Sequence, residues 1–476
     1  MRLLRLVVGG LMLAVHGCAS VSPQRTEPFE IPAAWSVAGV SATDGAASLA
    51  QWWLRFDDPL LEHLVAQALR ANTGVKSAEA ALRQARALRD VSAAALLPAV
   101  EGSASAQRGF AGEHTTGNTF RAGLDASWEL DIFGANRSAL AASEANAGAS
   151  AASLGEVRVS IAAEVALAYI ALRNAQVRLA IADDNLASQL ETLQITQWRL
   201  QAGLVSSLDA EQAASTAEQT RAQLPALRTA IAQSGHALAV LTGQPPAALS
   251  MVLAEAGPVP QAADSLALNI PAETLRQRPD VRAAEYQVTA AVARVSQADA
   301  ALAPSFQLGG SLGVAALTLD SLATRSSIVG ALLGSVSMPL FNGGALRAQV
   351  RAQQAALDQA YAAYDAAVLT ALQEVEDALI ALGGDRERLL SLRRAAEAAG
   401  NAALMARERY SSGLIDFQTV LDTQRTQLST QDSVAGANAD LSADHVRLYK
   451  ALGGGWLPDT NAAPPPNSGA TQGSPS

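Results

Sequence analysis

The stretch that decides the fold is residues 278–304, which read RPDVRAAEYQVTAAVARVSQADAALAP. A related stretch occurs earlier, at 72–98, as NTGVKSAEAALRQARALRDVSAAALLP. Identical pairs in this register include Val75/Val281, Ala78/Ala284, Glu79/Glu285, Ala85/Ala291, Ala87/Ala293, Leu96/Leu302 and Pro98/Pro304. Each stretch is an alanine-rich helical pattern closed by a proline, and each is followed by two alternating runs, a very long helical pattern, a Gly-Leu turn and a further helix. The sequence therefore predicts one long structural unit that is present twice.

The composition favours closely packed helices over a single thick core. Of the 476 residues, 49% are hydrophobic but only 4% are aromatic, and small side chains let helices approach each other closely. The net charge is −10, and no cluster of basic residues offsets it. We therefore expect no nucleic-acid partner.

The first 17 residues are predicted to be a lipoprotein signal peptide rather than part of the fold. Two arginines precede an apolar run at 7–15, which is too short to span a bilayer as a mature helix. The run leads to Cys18, the one cysteine of the chain, so no disulfide framework is expected. This arrangement resembles a bacterial lipobox, in which Cys18 is lipidated, although His16 departs from the small or apolar residue usual there. The alternative is an ordinary cysteine in a plain signal peptide.

Long helical patterns account for most of the remaining chain. The predicted helices are 59–70, 73–97, 137–202, 206–242, 345–411 and 417–451. At about 1.5 Å per residue the helix at 137–202 would be about 100 Å long, and its narrow apolar stripe is typical of coiled-coil packing. The two shorter helices of each copy roughly match the long one when laid end to end, which predicts a wall of one continuous helix beside two stacked ones. We expect Pro225 to kink or break its helix. Gly383-Gly384 should interrupt the second long helix near its middle, with a bend or bulge there.

These patterns divide the chain into six segments. They are the signal peptide, an extended segment after the lipidated cysteine, the first repeat, a proline-rich crossing segment, the second repeat, and a C-terminal segment with a disordered tail. Their predicted bounds are 1–17, 18–58, 59–243, 244–271, 272–452 and 453–476.

Four runs alternate between apolar and polar residues and are predicted to be strands. They lie at 99–110, 119–132, 305–314 and 326–340. Their lengths suit tilted membrane-spanning strands, although alternation alone fits a small soluble sheet equally well. Four strands cannot close a membrane barrel, and an open edge cannot lie in lipid. Either the strands are soluble or several chains share one barrel, to which three chains would contribute twelve strands.

Motifs spread over almost the whole mature chain resemble those of the TolC-like outer-membrane factors, in the NodT/OprM branch of efflux lipoproteins. They are QWW at 51–53 with DDPL at 57–60, WELDIFG at 128–134, LRQRPDVRAAE at 275–285, PLF at 339–341 before Gly343-Gly344, and YKALGGGW at 449–456. The resemblance implies a mainly α fold with a small β part. Internally duplicated long antiparallel helical hairpins and four membrane strands would assemble as a homotrimer into a twelve-stranded β-barrel on a twelve-helix α-barrel.

The resemblance also implies a function and partners. The chain would be the passive exit duct of a tripartite efflux system for drugs or other small molecules, anchored in outer-membrane lipid and extending into the periplasm. Its partners would be a periplasmic adaptor (membrane fusion) protein and an inner-membrane RND-type pump. Type I protein secretion and metal-ion efflux remain alternatives within this class, and an elongated coiled-coil lipoprotein without a pore is the alternative outside it.

Two turns between long helices are implied to meet the adaptor. They are Gly203-Leu204-Val205 and Gly413-Leu414-Ile415. The apolar residues beside each glycine favour a docking surface, and the alternative is a plain turn in which glycine supplies a positive φ.

A periplasmic gate is implied just past the second turn, where acidic residues narrow the tunnel in TolC-like proteins. Asp422 matches one of those acids, Thr419 stands where the other would be, and Asp416 could substitute for it. Arg425, three residues after Asp422 on the same helical face, is the nearest opposite charge. The alternative is a solvated acid at a helix start.

No enzyme, cofactor or metal site is expected. The five histidines, at positions 16, 63, 114, 236 and 445, lie far apart and lack metal-ligand spacing. No glycine-rich phosphate loop lies between a strand and a helix, and no nucleophile motif stands out.

Overall fold

A computed structural model describes residues 49–111, 115–262 and 272–456. These ranges contain eight α-helices and four strands. The helices are α1 (Pro59–Ala71), α2 (Thr73–Ala94), α3 (Ala135–Gln201), α4 (Ser207–Arg221), α5 (Gln223–Leu241), α6 (Pro279–Ala300), α7 (Ala345–Ser411) and α8 (Phe417–Ala451). The strands are β1 (Ala99–Ala111), β2 (Thr115–Leu130), β3 (Ser305–Ala316) and β4 (Ile328–Ser337). The predicted order of helices and strands is confirmed in both repeats.

In each repeat, one polar side chain joins two short helices end to end. In the first repeat, Asn72 Oδ1 accepts hydrogen bonds from the backbone nitrogens of Gly74 and Val75 at the start of α2. Its Nδ2 donates to Leu241 O at the end of α5, at 2.8 Å. In the second repeat, Arg278 occupies the matching position before α6 and donates from Nη1 to Ala451 O at the end of α8, at 2.5 Å. The end of α5 is therefore joined to the start of α2, and the end of α8 is joined to the start of α6.

The helices pack side by side. α3 contacts α1, α2, α4, α5, α6 and α8, and α7 packs against α6 and α8. Many of the buried contacts of α3 are alanines, such as Ala162, Ala163 and Ala166, because small side chains let the helices approach closely. The prediction of one continuous helix beside two stacked ones is confirmed.

The four strands form one antiparallel sheet in the order β1-β2-β3-β4. Gly123 of β2 lies directly opposite Gly313 of β3. A Cβ added at Gly313 would lie 2.6 Å from Ala122 O and 2.8 Å from the Cα of Gly123. The two strands therefore approach each other here more closely than any side chain allows. The outer edges of β1 and β4 have no strand partner within the described chain.

Two predictions about helix interruptions had different outcomes. The break near Pro225 is confirmed, since α4 ends at Arg221 and α5 begins at Gln223. Pro225 lies in the first turn of α5, where its missing N–H costs no helical hydrogen bond. The expected break at Gly383-Gly384 is wrong, because α7 is helical from Ala345 to Ser411, whereas the bend or bulge expected there stays a prediction. Glycine only weakens a helix interior by about 1 kcal/mol, and packing of α7 against α6 and α8 offsets that cost.

Within the described ranges, none of the helices combines the length and the apolar character that a membrane crossing requires. Cys18 and its surroundings, His16 included, lie outside the described residues, as do His114, the C-terminal tail from 457 and part of the crossing segment, 263–271.

Candidate gate and docking tips

Both predicted docking turns are tight glycine turns with one exposed leucine. Gly203 has φ +72° and Gly413 has φ +73°, in the region that favours glycine. Leu204 N donates to Arg199 O, and Leu414 N donates to Arg409 O, both at 2.9 Å, so each turn closes the last carbonyls of its long helix. The side chains of Leu204 and Leu414 are each 73% exposed. The two repeats thus present the same small apolar feature at their tips.

The β-branched residue that follows each exposed leucine is less exposed than the leucine. Val205 and Ile415 are half-buried. Ile415 packs against a buried cluster that joins helices α4, α7 and α8, the members of which are Ala213, Ala406, Tyr410, Phe417, Val420 and Leu421. At the second turn, the packing of Ile415 helps to fix the orientation of the turn and leaves Leu414 exposed.

Arg199 links the two tips to each other. Its guanidinium donates to Tyr410 O at 3.2 Å and to Ser411 O at 3.0 Å, and it lies 4.4 Å from the centroid of the Tyr410 ring. A cation at these carbonyls also opposes the negative end of the α7 dipole. The end of α3 therefore holds the end of α7.

Asp416 is the N-cap of α8. Its Oδ1 accepts from Thr419 N at 2.8 Å and from Thr419 Oγ1 at 2.7 Å. These hydrogen bonds, the one from the hydroxyl first, hold the pKa of Asp416 below its ordinary value. Both residues are therefore engaged in starting the helix, and a role for Asp416 in a charged ring stays a prediction.

Asp422 and Arg425 are near each other on α8, but Arg425 also contacts a different helix. Arg425 Nη1 lies 3.8 Å from Asp422 Oδ1, and the two side chains are 47% and 60% exposed. Arg425 Nη2 donates to Thr216 Oγ1 of α4 at 3.2 Å, and Gln418 Nε2 donates to Asp422 Oδ1 at 3.0 Å. Arg425 thus bridges the predicted gate acid and the other returning helix.

The contact of Arg425 with Thr216 could not be predicted from the sequence. Thr216 is buried, and its position in α4 follows no charge or motif pattern. Thr216 and Arg425 are 209 residues apart in the chain, so no local sequence pattern indicates that they are in contact. The internal duplication was the available clue, because it predicts that the two returning helices lie side by side near their tips.

A row of polar contacts, called here the polar seam, joins α3 and α8 beyond the predicted gate residues. Arg178 makes a two-pronged ion pair with Asp432, at 2.6 and 2.9 Å. Gln424 Nε2 donates to Thr192 Oγ1 at 2.9 Å inside the wall. Asn185 Nδ2 of α3 donates a hydrogen bond to Gln431 Oε1 of α8, at 2.8 Å. Such bonds have a narrow range of geometry, so the seam fixes the register of α8 along α3.

The chain matches the family model described as outer membrane efflux protein at residues 64–244 and 270–454. The toluene efflux pump outer membrane protein TtgF of Pseudomonas putida is 31% identical over 462 residues, covering 94% of this chain and 96% of that protein. Nodulation protein T of Rhizobium leguminosarum bv. viciae is 31% identical over 466 residues, covering 97% and 95%. The solved structure of the outer-membrane channel OprN superposes with a TM-score of 0.84 at 37% identity and covers 92% of this chain and 99% of that one.

Proposed function

The chain belongs to the outer membrane efflux protein family, and from this membership we propose that three copies form a passive exit duct completed by an adaptor and a pump. The chain itself is the outer-membrane component of an efflux system, as its relatives are. The observation that carries the proposal is that, among the described residues, the outer edges of β1 and β4 have no strand partner and the helices α2 and α7 do not pack against each other. Closing both at once requires further copies of the chain.

The cargo we propose is a small molecule rather than a folded protein. TtgF is named for toluene, and we infer a comparable role for this chain. The duct performs no covalent step, since the pump would supply the energy and the selection. An adaptor protein would bridge the tips to that pump, which we propose to be of the RND type. Lipidation of Cys18 would add an anchor in the outer membrane.

Purified protein in a planar bilayer tests the proposal directly. A duct is expected to give discrete conductance steps, whereas a non-channel lipoprotein of the same shape gives none. The mass of the detergent-solubilised particle checks the number of copies. A monomer without conductance would contradict the proposal.

Substitution at the gate is expected to change that conductance. Arg425→Ala removes the contact with Thr216 and the opposite charge beside Asp422. The carboxylates at this level then repel each other without compensation, so we expect a several-fold rise in single-channel conductance. The matched control is Arg409→Ala, which removes the same charge from an exposed position near the same tip. Equal conductance for both variants would remove Arg425 from the gate.

The exposed leucines of the tips are expected to be essential for transport but not for folding. Leu204→Glu and Leu414→Glu should each abolish efflux-dependent resistance, because a charge replaces an apolar contact with the adaptor. The trimer yield should not change, since each side chain is 73% exposed and packs against little. Leu204→Met and Leu414→Met keep the apolar surface and should retain resistance. Full resistance in the glutamate variants would argue against docking at these turns.

A further inference from the structure

An open cleft lies between α2, α3 and α6 and carries three arginines. Its volume is about 460 Å³, and Gly455 and Trp456 from the end of the described chain also line it. Arg86 of α2, Arg158 of α3 and Arg282 of α6 all line it. This concentration of positive charge is notable in a chain whose net charge is −10.

Two of these guanidinium groups have no carboxylate partner among the described residues. Arg158 Nη2 pairs with Glu79 at 3.1 Å. Arg282 instead lies over the Trp456 ring, 5.8 Å from its centroid, and no ion pair or hydrogen bond engages the side chain of Arg86 within the described ranges. Elsewhere in the wall, arginines such as Arg178 are matched by a carboxylate. The cleft therefore has a surplus of positive charge that nothing in the described chain neutralises.

Aromatic rings form the wall of the cleft, and two glycines of α3 make room for them. A Cβ at Gly148 would lie 2.7 Å from the Tyr286 ring, and a Cβ at Gly155 would lie 2.7 Å from the Trp456 indole. Residues seven apart lie on the same face of a helix. Both rings can therefore rest directly against the α3 backbone, and they leave a rigid flat surface beside the arginines.

The depth of the cleft excludes lipid headgroups as its occupant. α3 begins at Ala135, just after β2 ends at Leu130, and the cleft-lining residues of α3 run from Ala147 to Arg158. At about 1.5 Å per residue, the cleft begins about 18 Å from the strands and extends to about 35 Å. A headgroup at the bilayer surface cannot reach that far, which leaves soluble molecules as candidate ligands.

We propose that this cleft is a binding site for a soluble phosphate-bearing anion. The planar fork of a guanidinium matches phosphate oxygens in a two-pronged manner. A phosphate dianion would compensate the two unpaired charges of Arg86 and Arg282. A ring attached to the phosphate, such as that of a sugar, would lie against Tyr286 and Trp456. The ligand would bridge helices from both repeats, because α2 and α3 belong to the first and α6 to the second.

Calorimetric titration of the purified trimer tests the proposal, with inorganic phosphate and glucosamine 6-phosphate as probes at constant ionic strength. Saturable binding is expected, and Arg86→Gln combined with Arg282→Gln should weaken it at least about tenfold, the effect of losing charge-assisted hydrogen bonds. Arg83→Gln is the matched control, because it removes the same charge from α2 without touching the cleft. Binding should be unchanged in this control.

The two probes distinguish the source of the phosphate. Equal affinity for both, insensitive to Trp456→Ala, identifies free phosphate as the ligand. A sugar phosphate that binds at least about tenfold more tightly, and loses this advantage in Trp456→Ala, identifies a phosphorylated sugar. Absence of saturable binding for both probes, or equal binding to the wild type and the double variant, would overturn the proposal. Thermal unfolding of the double variant should match that of the wild type without phosphate, which separates lost binding from lost folding.

Discussion

Replacing Arg278 by glutamine is expected to prevent most of the protein from reaching the folded trimer. The side chain is 7% exposed and joins three parts of the chain, through Asp280, Glu374 and the carbonyl of Ala451. Burial alone would lower the pKa of Arg278, but the bonds and charges of Asp280 and Glu374 outweigh it and raise the pKa above its ordinary value. The buried arginine is therefore charged, and its loss removes the hydrogen bond to the Ala451 carbonyl and the bonds to both carboxylates. A buried hydrogen bond that involves a charged group contributes about 1.5–3 kcal/mol.

The yield of trimer on extraction and its thermal unfolding midpoint measure this loss. Arg388→Gln is the control, because Arg388 also contacts two carboxylates, Asp385 and Asp440, but its side chain is 53% exposed. Exposed ion pairs contribute at most about 1 kcal/mol, so this variant should assemble normally. If both variants assembled equally well, burial of Arg278 would not matter to the joint between α6 and α8.

Gly313→Ala is expected to disrupt the sheet and with it membrane insertion. The added methyl group would lie 2.6 Å from Ala122 O and 2.8 Å from the Cα of Gly123, and both neighbours are backbone atoms of β2. Backbone atoms in a ladder cannot move aside as a side chain can, so the strands must separate and lose hydrogen bonds. We expect a penalty of about 3 kcal/mol, at the upper end for an overpacked site, and little stable trimer.

Gly309→Ala provides the comparison within the same strand. The nearest atoms to its added methyl group are the Ala126 and Leu333 carbonyl oxygens, both at 3.9 Å. This variant should therefore insert and conduct like the wild type. Measurement of heat-stable trimer in outer-membrane extracts compares the two variants directly, and normal assembly of Gly313→Ala would show that the strands can separate there without loss.

The sequence was sufficient to predict the fold because the same pattern occurs twice. The register that aligns Val75 with Val281 also aligns Asn72 with Arg278, and these two residues make the same joint with different chemistry. Asparagine uses an amide to reach one carbonyl, whereas arginine reaches a carbonyl and two carboxylates. Periodicity therefore located the joints, but the side chains that complete them became visible only in three dimensions.

The candidate sites were less accessible to sequence reasoning for a physical reason. The spacing of Asp422 and Arg425 predicts that they are neighbours on one helical turn, and they are. The bond from Arg425 to Thr216 and the ion pair of Arg178 with Asp432 depend on the rotation of one helix against another. An alanine-rich interface tolerates many rotations, so composition alone does not fix such pairs. The cleft at Arg86 and Arg282 also depends on the positions of three helices.

Because β1 and β4 have no strand partner on their outer edges within the described chain, the proposed barrel would depend on every subunit in cells that make both a normal and a defective chain. Each chain would supply one third of the barrel, so one defective subunit would inactivate the trimer that it forms with two normal subunits. With equal amounts of normal and defective chains mixing at random, only about one eighth of the trimers would be entirely normal. A defective chain that still associates should therefore be dominant over the normal one, whereas a chain that cannot associate should be recessive.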